Sequence, residues 1–323
     1  MSEIKCIGVL TSGGDAPGMN GVIRSVTRSG IFHGMQVMGI HRGYHGLSRG
    51  DMIELTDRSV SDMLHRGGTF LMTARSEEFK SPEGVERAAN MCRVFGLDAL
   101  VAIGGDGTYR GALDLSKAGI PVITVPGTID NDIACTEYTI GFDTALNTAI
   151  EAVDKLRDTA SSHERCSVIQ VMGRHAGYIA VNTGIATGAE IVLIPEQPID
   201  FDKDVVRKIL TARNRNKRHY IVIVAEGAGQ SIEVAERIEA ETGIEARATV
   251  LGYVQRGGNP NFRDRYLASM MGKHAVECIV EKRLNRAVIL RDGQVTDMDL
   301  AEALSMQKNV SAEVLKTASI LSR

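Results

Sequence analysis

Several signatures of common binding chemistries are missing from this 323-residue sequence. It has no CxxC pair, no HExxH motif, no GxGxxG fingerprint, no GxxxxGK[ST] loop and no run of 18 apolar residues. The first absence argues against a zinc knuckle and the second against a zincin-type metal site. The third and fourth disfavour a dinucleotide fold and a Walker NTPase. The fifth leaves nothing to cross a membrane as a helix. The opening MSEIKCIGVLTSGG reaches glycine too soon for a secretory signal. An excess of basic residues is also absent: Lys plus Arg number 37 against 40 Asp plus Glu, so nucleic acid is not an expected partner. The five cysteines are Cys6, Cys92, Cys135, Cys166 and Cys278, an odd number set among apolar neighbours. They read as reduced thiols of a soluble, cytoplasmic protein. The histidines show no ligand spacing and are expected to be structural or exposed.

What is present is ordinary globular composition, with 43% hydrophobic and 24% charged residues over a length sufficient for about two domains. One pattern repeats: a short apolar run, a Gly-rich turn, an amphipathic helix. Ile4 to Thr11 runs into Ser12-Gly13-Gly14-Asp15, and Pro17 stands where a helix would begin. Asp98 to Ile103 runs into Gly104-Gly105-Asp106-Gly107 and a helix near Thr108 to Ala118. Val122 to Val125 runs into Pro126-Gly127-Thr128. Such units predict a parallel sheet with helices on both faces. Asp143 to Ala160 reads as a long helix with Leu146, Ile150, Val153 and Leu156 on one stripe. Strands are expected at Ser167–Met172, Ile191–Ile194 and Tyr220–Ala225, with helices near Lys203–Asn214, Ile232–Thr242 and Arg263–Lys282. Asp292-Gly293 signals a type I′ hairpin within Ala287–Thr296. A second α/β domain is expected from near residue 140, and no flexible linker separates the halves.

Three turns carry the candidate chemistry. In Gly104-Gly105-Asp106-Gly107-Thr108 the glycines let backbone amides approach phosphate oxygens, and Asp106 stands at a strand end where it could hold Mg²⁺. A tight turn with a capping Asp accounts for that motif equally well. Pro126-Gly127-Thr128-Ile129-Asp130-Asn131-Asp132 offers two carboxylates. Phosphoryl transfer to a hydroxyl needs a base, and Asp130 is the candidate, against an Asx-turn without chemistry. Arg75, Arg165, Arg174, Arg247 and Arg256 lie at strand ends or Gly-rich turns, where guanidinium forks suit phosphates. The run Arg215-Asn216-Lys217-Arg218 is the densest basic stretch, and on its own reads as a solvated face.

Together LTSGGDAPGMN (10–20), RGGT (66–69), GGDGT (104–108), PGTIDND (126–132), IGFDTA (140–145), RDTASSHER (157–165), VMGRHAG (171–177) and ATVLGYVQRGG (248–258) resemble the bacterial ATP-dependent 6-phosphofructokinase family, nearly end to end and in order. The resemblance implies two Rossmann-like three-layer αβα domains with mainly parallel sheets and an active site in the cleft between them. Residues 1–140 with about 256–305 would bind ATP, and 141–255 with about 306–323 the sugar phosphate. It implies transfer from Mg-ATP to the 1-hydroxyl of fructose 6-phosphate. Gly14, Tyr44, Arg75, Ser76, Gly105, Gly107 and Thr108 would line the ATP site, with Asp106 serving Mg²⁺. Asp130 would be the base; Thr128, Arg174 and Gly14 would stabilise the transferring group. Ile129, Met172, Gly173, Glu226 and Tyr253 would hold the sugar and Arg256 its 6-phosphate, while Arg165 and Arg247 would come from a neighbouring subunit of a homotetramer. Arg24, Arg28, Arg157, Gly188, Glu190, Arg215, Lys217, Arg218 and His219 match the family's effector site, with ADP and phosphoenolpyruvate as expected ligands.

Three departures stand out. Tyr253 replaces the family's usual His, Tyr178 follows Gly177 where Gly-Asp is usual, and Asp57 occupies an effector-site Arg position, with Arg58 one place later. The pyrophosphate-dependent branch carries Asp where Gly107 stands and Lys where Gly127 stands, so both glycines favour ATP. NAD and lipid kinases share GGDGT but lack PGTIDND and QRGG. A non-catalytic regulatory subunit is opposed by the retention of Asp106, Asp130 and Arg174.

Overall fold

The structure is a computed structural model and describes residues 4–322. In chain order its elements begin β1 Cys6–Ser12, α1 Met19–Phe32, β2 Gln36–Ile40, α2 Gly43–Leu47 and β3 Met52–Leu55. Next come α3 Pro82–Val94, β4 Ala99–Gly104, α4 Asp106–Lys117, β5 Val122–Thr128, β6 Ile140–Gly141 and α5 Phe142–His163. The chain continues with β7 Cys166–Val171, α6 Tyr178–Thr187, β8 Ile191–Leu193, α7 Arg207–Asn214, β9 Tyr220–Ala225, α8 Ser231–Thr242 and β10 Ala246–Val250. It closes with α9 Phe262–Val280, β11 Arg286–Arg291, β12 Gln294–Asp299, α10 Leu300–Ser305 and α11 Ala312–Leu321. Two compact units emerge. One comprises the chain through Ile129, Ile133–Thr144 and Arg256–Lys308; the other comprises Asp130–Asp132, Ala145–Gln255 and the chain from Asn309.

The first unit is built on an eight-stranded sheet ordered β12-β11-β5-β4-β1-β2-β3, with β6 beside β5. Its central strands are parallel. They are buried on both faces, which is why they read as continuous apolar runs. Alternation sorts the side chains. Cys6, Leu10, Leu100 and Ala102 join Tyr44, Phe79, Tyr109 and Leu300 in one core, beneath α2, α3, α4 and α10. Helices α1 and α9 pack together and cover the sheet's opposite face. Two strands that the apolar pattern does not announce, β2 and the antiparallel edge strand β3, extend this sheet. The expected hairpin is present as β11–β12, and both Asp292 (φ 52°) and Gly293 (φ 71°) take the left-handed conformation a type I′ turn requires.

The second unit has a four-stranded parallel sheet, β10-β7-β9-β8. One face packs on α7 and α8 through Val168, Tyr220, Val222, Ile209 and Ile238. Helix α6 contacts β8 and β9. The predicted stripe on α5 is displaced: Val153 is buried, but Leu146, Ile150 and Leu156 are half-buried, and the deepest positions are Ala145, Ala149 and Ala160. The buried positions are thus mostly alanines, which a pattern of large apolar side chains does not mark. Before α7, Asp202–Val206 forms a π-turn rather than the first turn of the expected α-helix. All five cysteines are buried free thiols.

Candidate active site

Strand register lines up the first three loops. Ser12 lies opposite Gly104, and Gly104 opposite Pro126, so the turns after β1, β4 and β5 emerge side by side. The chain order reverses between β1 and β4, the topological switch point at which open α/β sheets leave a crevice for ligands. Both glycine loops sit there. Gly13 is left-handed (φ 88°), and a Cβ on Gly14 would stand 3.1 Å from the Arg256 guanidinium carbon. Arg256, expected at the sugar 6-phosphate, thus lies against the Gly14 loop. A Cβ on Gly105 would stand 3.8 Å from that of Thr128.

Asp106 begins α4 and is half exposed, its carboxylate held by Arg110 at 2.8 and 3.4 Å. A guanidinium resting on both oxygens is a stand-in cation, and a Cβ on Gly107 would meet nothing within 4 Å. An accessible carboxylate that already attracts positive charge, beside open backbone at a helix N-terminus, fits Mg²⁺ bound to a polyphosphate. Arg110 stands one helical turn beyond Asp106, outside the glycine motif that carries the phosphate signal. Thr108 donates its hydroxyl to the Ser12 carbonyl (3.0 Å). Tyr44 is buried, stacked on Phe79 at 4.2 Å, and its hydroxyl donates to the Thr108 carbonyl (2.6 Å), so it meets the loop from behind. Burial pushes its phenol up, keeping it a neutral donor. Arg75 is exposed, and Ser76 accepts from the Phe79 amide.

In the second unit Asp130 is buried, with Oδ2 3.6 Å from Arg174 Nε. Asn131 (φ 52°) and Arg174 (φ 53°) both adopt the left-handed backbone uncommon for non-glycine residues, as segments at functional sites often do. Glu226 accepts from the Arg174 amide at 2.7 Å, and Gln255 from that of Met172 at 3.3 Å. These contacts bring the loops after β7 and β9 and the segment after β10 together around Asp130, Met172, Arg174 and Glu226. Gln255 is fully buried and was passed over in the sequence, where glutamine carries no chemical signal. Tyr253 is exposed.

Arg165 and Arg247 are elsewhere in that unit. Both bind Glu245, Arg165 at 2.7 Å. Arg165 precedes β7 and Met172 follows it, so seven residue steps separate them, about 23 Å at roughly 3.3 Å each. Of the effector candidates, Glu190 is buried, accepts from the Ile221 amide and pairs with Lys217. Arg157 donates to the Thr187 carbonyl beside Gly188. Arg218 pairs with Glu164, and His219 is half-buried. Arg24 and Arg28 belong to the first unit, where Arg28 faces Asp57 at 4.0 Å. A cavity of about 770 Å³ in the second unit is lined by Glu190, Lys203, Arg207, Lys208, Arg215 and Lys217.

One cluster has the composition of a metal site: ligand atoms of His274, Cys278 and Asp297 lie within 4.8 Å of one another. Asp297 is instead the hub of an ion-pair knot with Arg283, Arg286 and His274. Burial opposes its charge, but those hydrogen bonds prevail and hold its carboxyl below the usual range, while burial pushes the Cys278 thiol up to about 12. Two guanidinium groups on the carboxylate repel a divalent cation.

The sequence profile described as Phosphofructokinase matches residues 6–279. This chain belongs to the phosphofructokinase family. It is 51% identical, over 99% of its length and 100% of the relative's, to the ATP-dependent 6-phosphofructokinase of Alkaliphilus metalliredigens (strain QYMF). It is 52% identical to that of Clostridium tetani (strain Massachusetts / E88), covering 98% of this chain and 99% of the relative. Among solved structures, Pichia pastoris phosphofructokinase in the T-state matches with a TM-score of 0.91 at 36% identity, over 100% of this chain and 38% of that one. Among the described residues no helix is long and apolar enough to cross a membrane.

Proposed function

We propose that this chain is a 6-phosphofructokinase that transfers the γ-phosphoryl group of Mg-ATP to the 1-hydroxyl of fructose 6-phosphate. The observation that carries the reading is the buried Asp130 carboxylate beside the Arg174 guanidinium, in a chain that is half identical over its whole length to ATP-dependent 6-phosphofructokinases. Asp130 accepts the hydroxyl proton as the oxygen attacks. Arg174 neutralises charge on the transferring group, and Thr128 donates a hydrogen bond to it. Asp106 would hold Mg²⁺, which supplies charge neutralisation at the phosphates when bound. The glycine-loop unit takes the nucleotide and the unit of Met172, Glu226 and Arg174 takes the sugar. Gly107 and Gly127 favour ATP over pyrophosphate. A Cβ at Gly127 would stand 3.0 Å from Ile103, so the other branch's Lys has no room without rearrangement.

Arg165 lies about 23 Å along β7 from Met172, and Arg247, level with Ser167 on the adjacent β10, about 17 Å, so both stand at the opposite end of the sheet from it. We assign them to the sugar phosphate of a second copy, in a homotetramer with shared sites. The basic cavity around Glu190 and Lys217 is assigned to anionic effectors, ADP or phosphoenolpyruvate. Initial rates measured side by side with Mg-ATP and with pyrophosphate test the central reading. Turnover with ATP and fructose 6-phosphate is expected; turnover with pyrophosphate alone overturns the donor, and none with either overturns the activity.

A further inference from the structure

The Arg66–Thr69 motif has no part in the chemistry above, yet the segment it opens is held firmly. Buried Asn20 donates to the carbonyls of Arg66 (3.1 Å) and Gly67 (3.2 Å) and accepts from the Phe70 amide (2.9 Å). The Thr11 hydroxyl bonds that of Thr69 (2.9 Å) and donates to the Met72 carbonyl (3.0 Å). The Arg42 amide donates to the Leu71 carbonyl (2.9 Å). The segment ends at Thr73, whose hydroxyl donates to the Gly13 carbonyl at 2.7 Å.

That last bond has a directional consequence. A trans peptide unit is planar, and its C=O and N–H point in opposite directions. The Gly13 carbonyl shares its peptide unit with the Gly14 amide. Fixing the oxygen on Thr73 therefore turns the Gly14 N–H away from Thr73. Gly13, at φ 88°, and Gly14 are both glycines, so no side chain fixes that orientation locally. Without an external partner the peptide is free to rotate.

We propose that Thr73 is a positioning residue, which aims the Gly14 amide at the phosphate tail of the nucleotide by holding the Gly13 carbonyl. The Arg66–Thr73 strap and its Asn20 and Thr11 anchors exist to fix that hydroxyl. The proposal rests on the nucleotide assignment made above. Losing one part-buried hydrogen bond of this kind is worth roughly tenfold in an equilibrium.

The test compares Thr73→Val, which keeps shape and removes the hydroxyl, with Thr73→Ser, which restores it. Mg-ADP affinity at the nucleotide site is measured by titration calorimetry with phosphoenolpyruvate saturating the effector cavity, independently of turnover, together with the KM values for both substrates and the Tm. Expected for Thr73→Val are a roughly tenfold weaker Mg-ADP affinity and higher ATP KM, with fructose 6-phosphate KM within twofold; Thr73→Ser returns to within twofold of the parent. Unchanged Mg-ADP affinity in Thr73→Val overturns the proposal. So does an equal loss for both substrates with a collapsed Tm, which marks a structural role only, or failure of Thr73→Ser to rescue. If the parent protein binds no Mg-ADP at all, the nucleotide assignment itself fails.

Discussion

The two units handle anions by different means. In the first, the candidate phosphate site is made of backbone: glycines at the ends of β1 and β4, a helix N-terminus, and hydroxyl groups that hold carbonyls from behind. In the second it is made of side chains: Arg174 beside Asp130, Arg165 and Arg247 on Glu245, Lys217 on Glu190. Backbone amides are close-fitting, uncharged and fixed by the fold. Guanidinium groups bring full charge and long reach, but each depends on a carboxylate neighbour for its orientation. The expectation is that single side-chain changes are most damaging in the second unit, and that the first is sensitive chiefly where a peptide can rotate.

The largest effect is expected at Asp130. Asp130→Ser should lower kcat by roughly 10²–10⁴, the usual worth of a general base, with both substrate affinities kept within a few-fold. Near-normal kcat in that variant removes Asp130 from its role and the comparison loses its sharpest contrast. Next is Asp264, in the first unit. It is buried and accepts from the amides of Gly141 and Thr144 at 2.8 Å, and burial pushes its carboxyl up to about 6. A carboxyl that holds its proton more tightly folded than unfolded favours the folded state most below the unfolded value of 3.8 and loses that contribution as pH rises towards 6. Thermal or urea unfolding should therefore show a decline on the order of 2–3 kcal/mol across that window, absent in Asp264→Asn. The same slope in the variant would move the effect to another group.

Arg247→Ala should raise the fructose 6-phosphate KM by roughly tenfold while kcat changes little, since the phosphate it is assigned does not react. An unaltered KM would leave Arg247 a surface partner of Glu245. The smallest effect concerns Arg110. Its pair with Asp106 is exposed, and such pairs contribute little. Arg110→Gln should lower the Mg²⁺ concentration for half-maximal rate by about twofold or less, and tighten Mn²⁺ binding to the same degree in an electron-spin titration. A tenfold change in either direction would show the guanidinium to be a ligand of the nucleotide rather than a counter-ion.

Legibility in the sequence follows the same division. The glycine loops, their flanking strands and the Asp292-Gly293 turn were readable because their causes are local: positive φ, apolar runs, a missing Cβ. Strands β2, β3 and β10 were not foreseen from their own residues, because they are short or half-exposed and are strands through their partners. Arg110, Gln255, Thr73 and Asp264 carried no signal either. Each matters through a contact many residues away or through one helical turn, and none belongs to a residue type that announces chemistry at that spacing. Tyr44 was legible as a participant, but its position behind the loop, with its hydroxyl on Thr108, was not.

By itself the sequence determined the alternation of strand, glycine turn and helix, hence the α/β class and the strand-end places where ligands meet backbone. That much follows from short-range sterics and apolar periodicity, which act within a few residues. Only the tertiary structure decided which carboxylate steadies which arginine, that Arg165 and Arg247 stand a strand's length from Met172, and that a threonine sixty residues on holds the first glycine loop. Those facts depend on strand order and register, which are set by the packing of the whole sheet and leave no mark on any one segment.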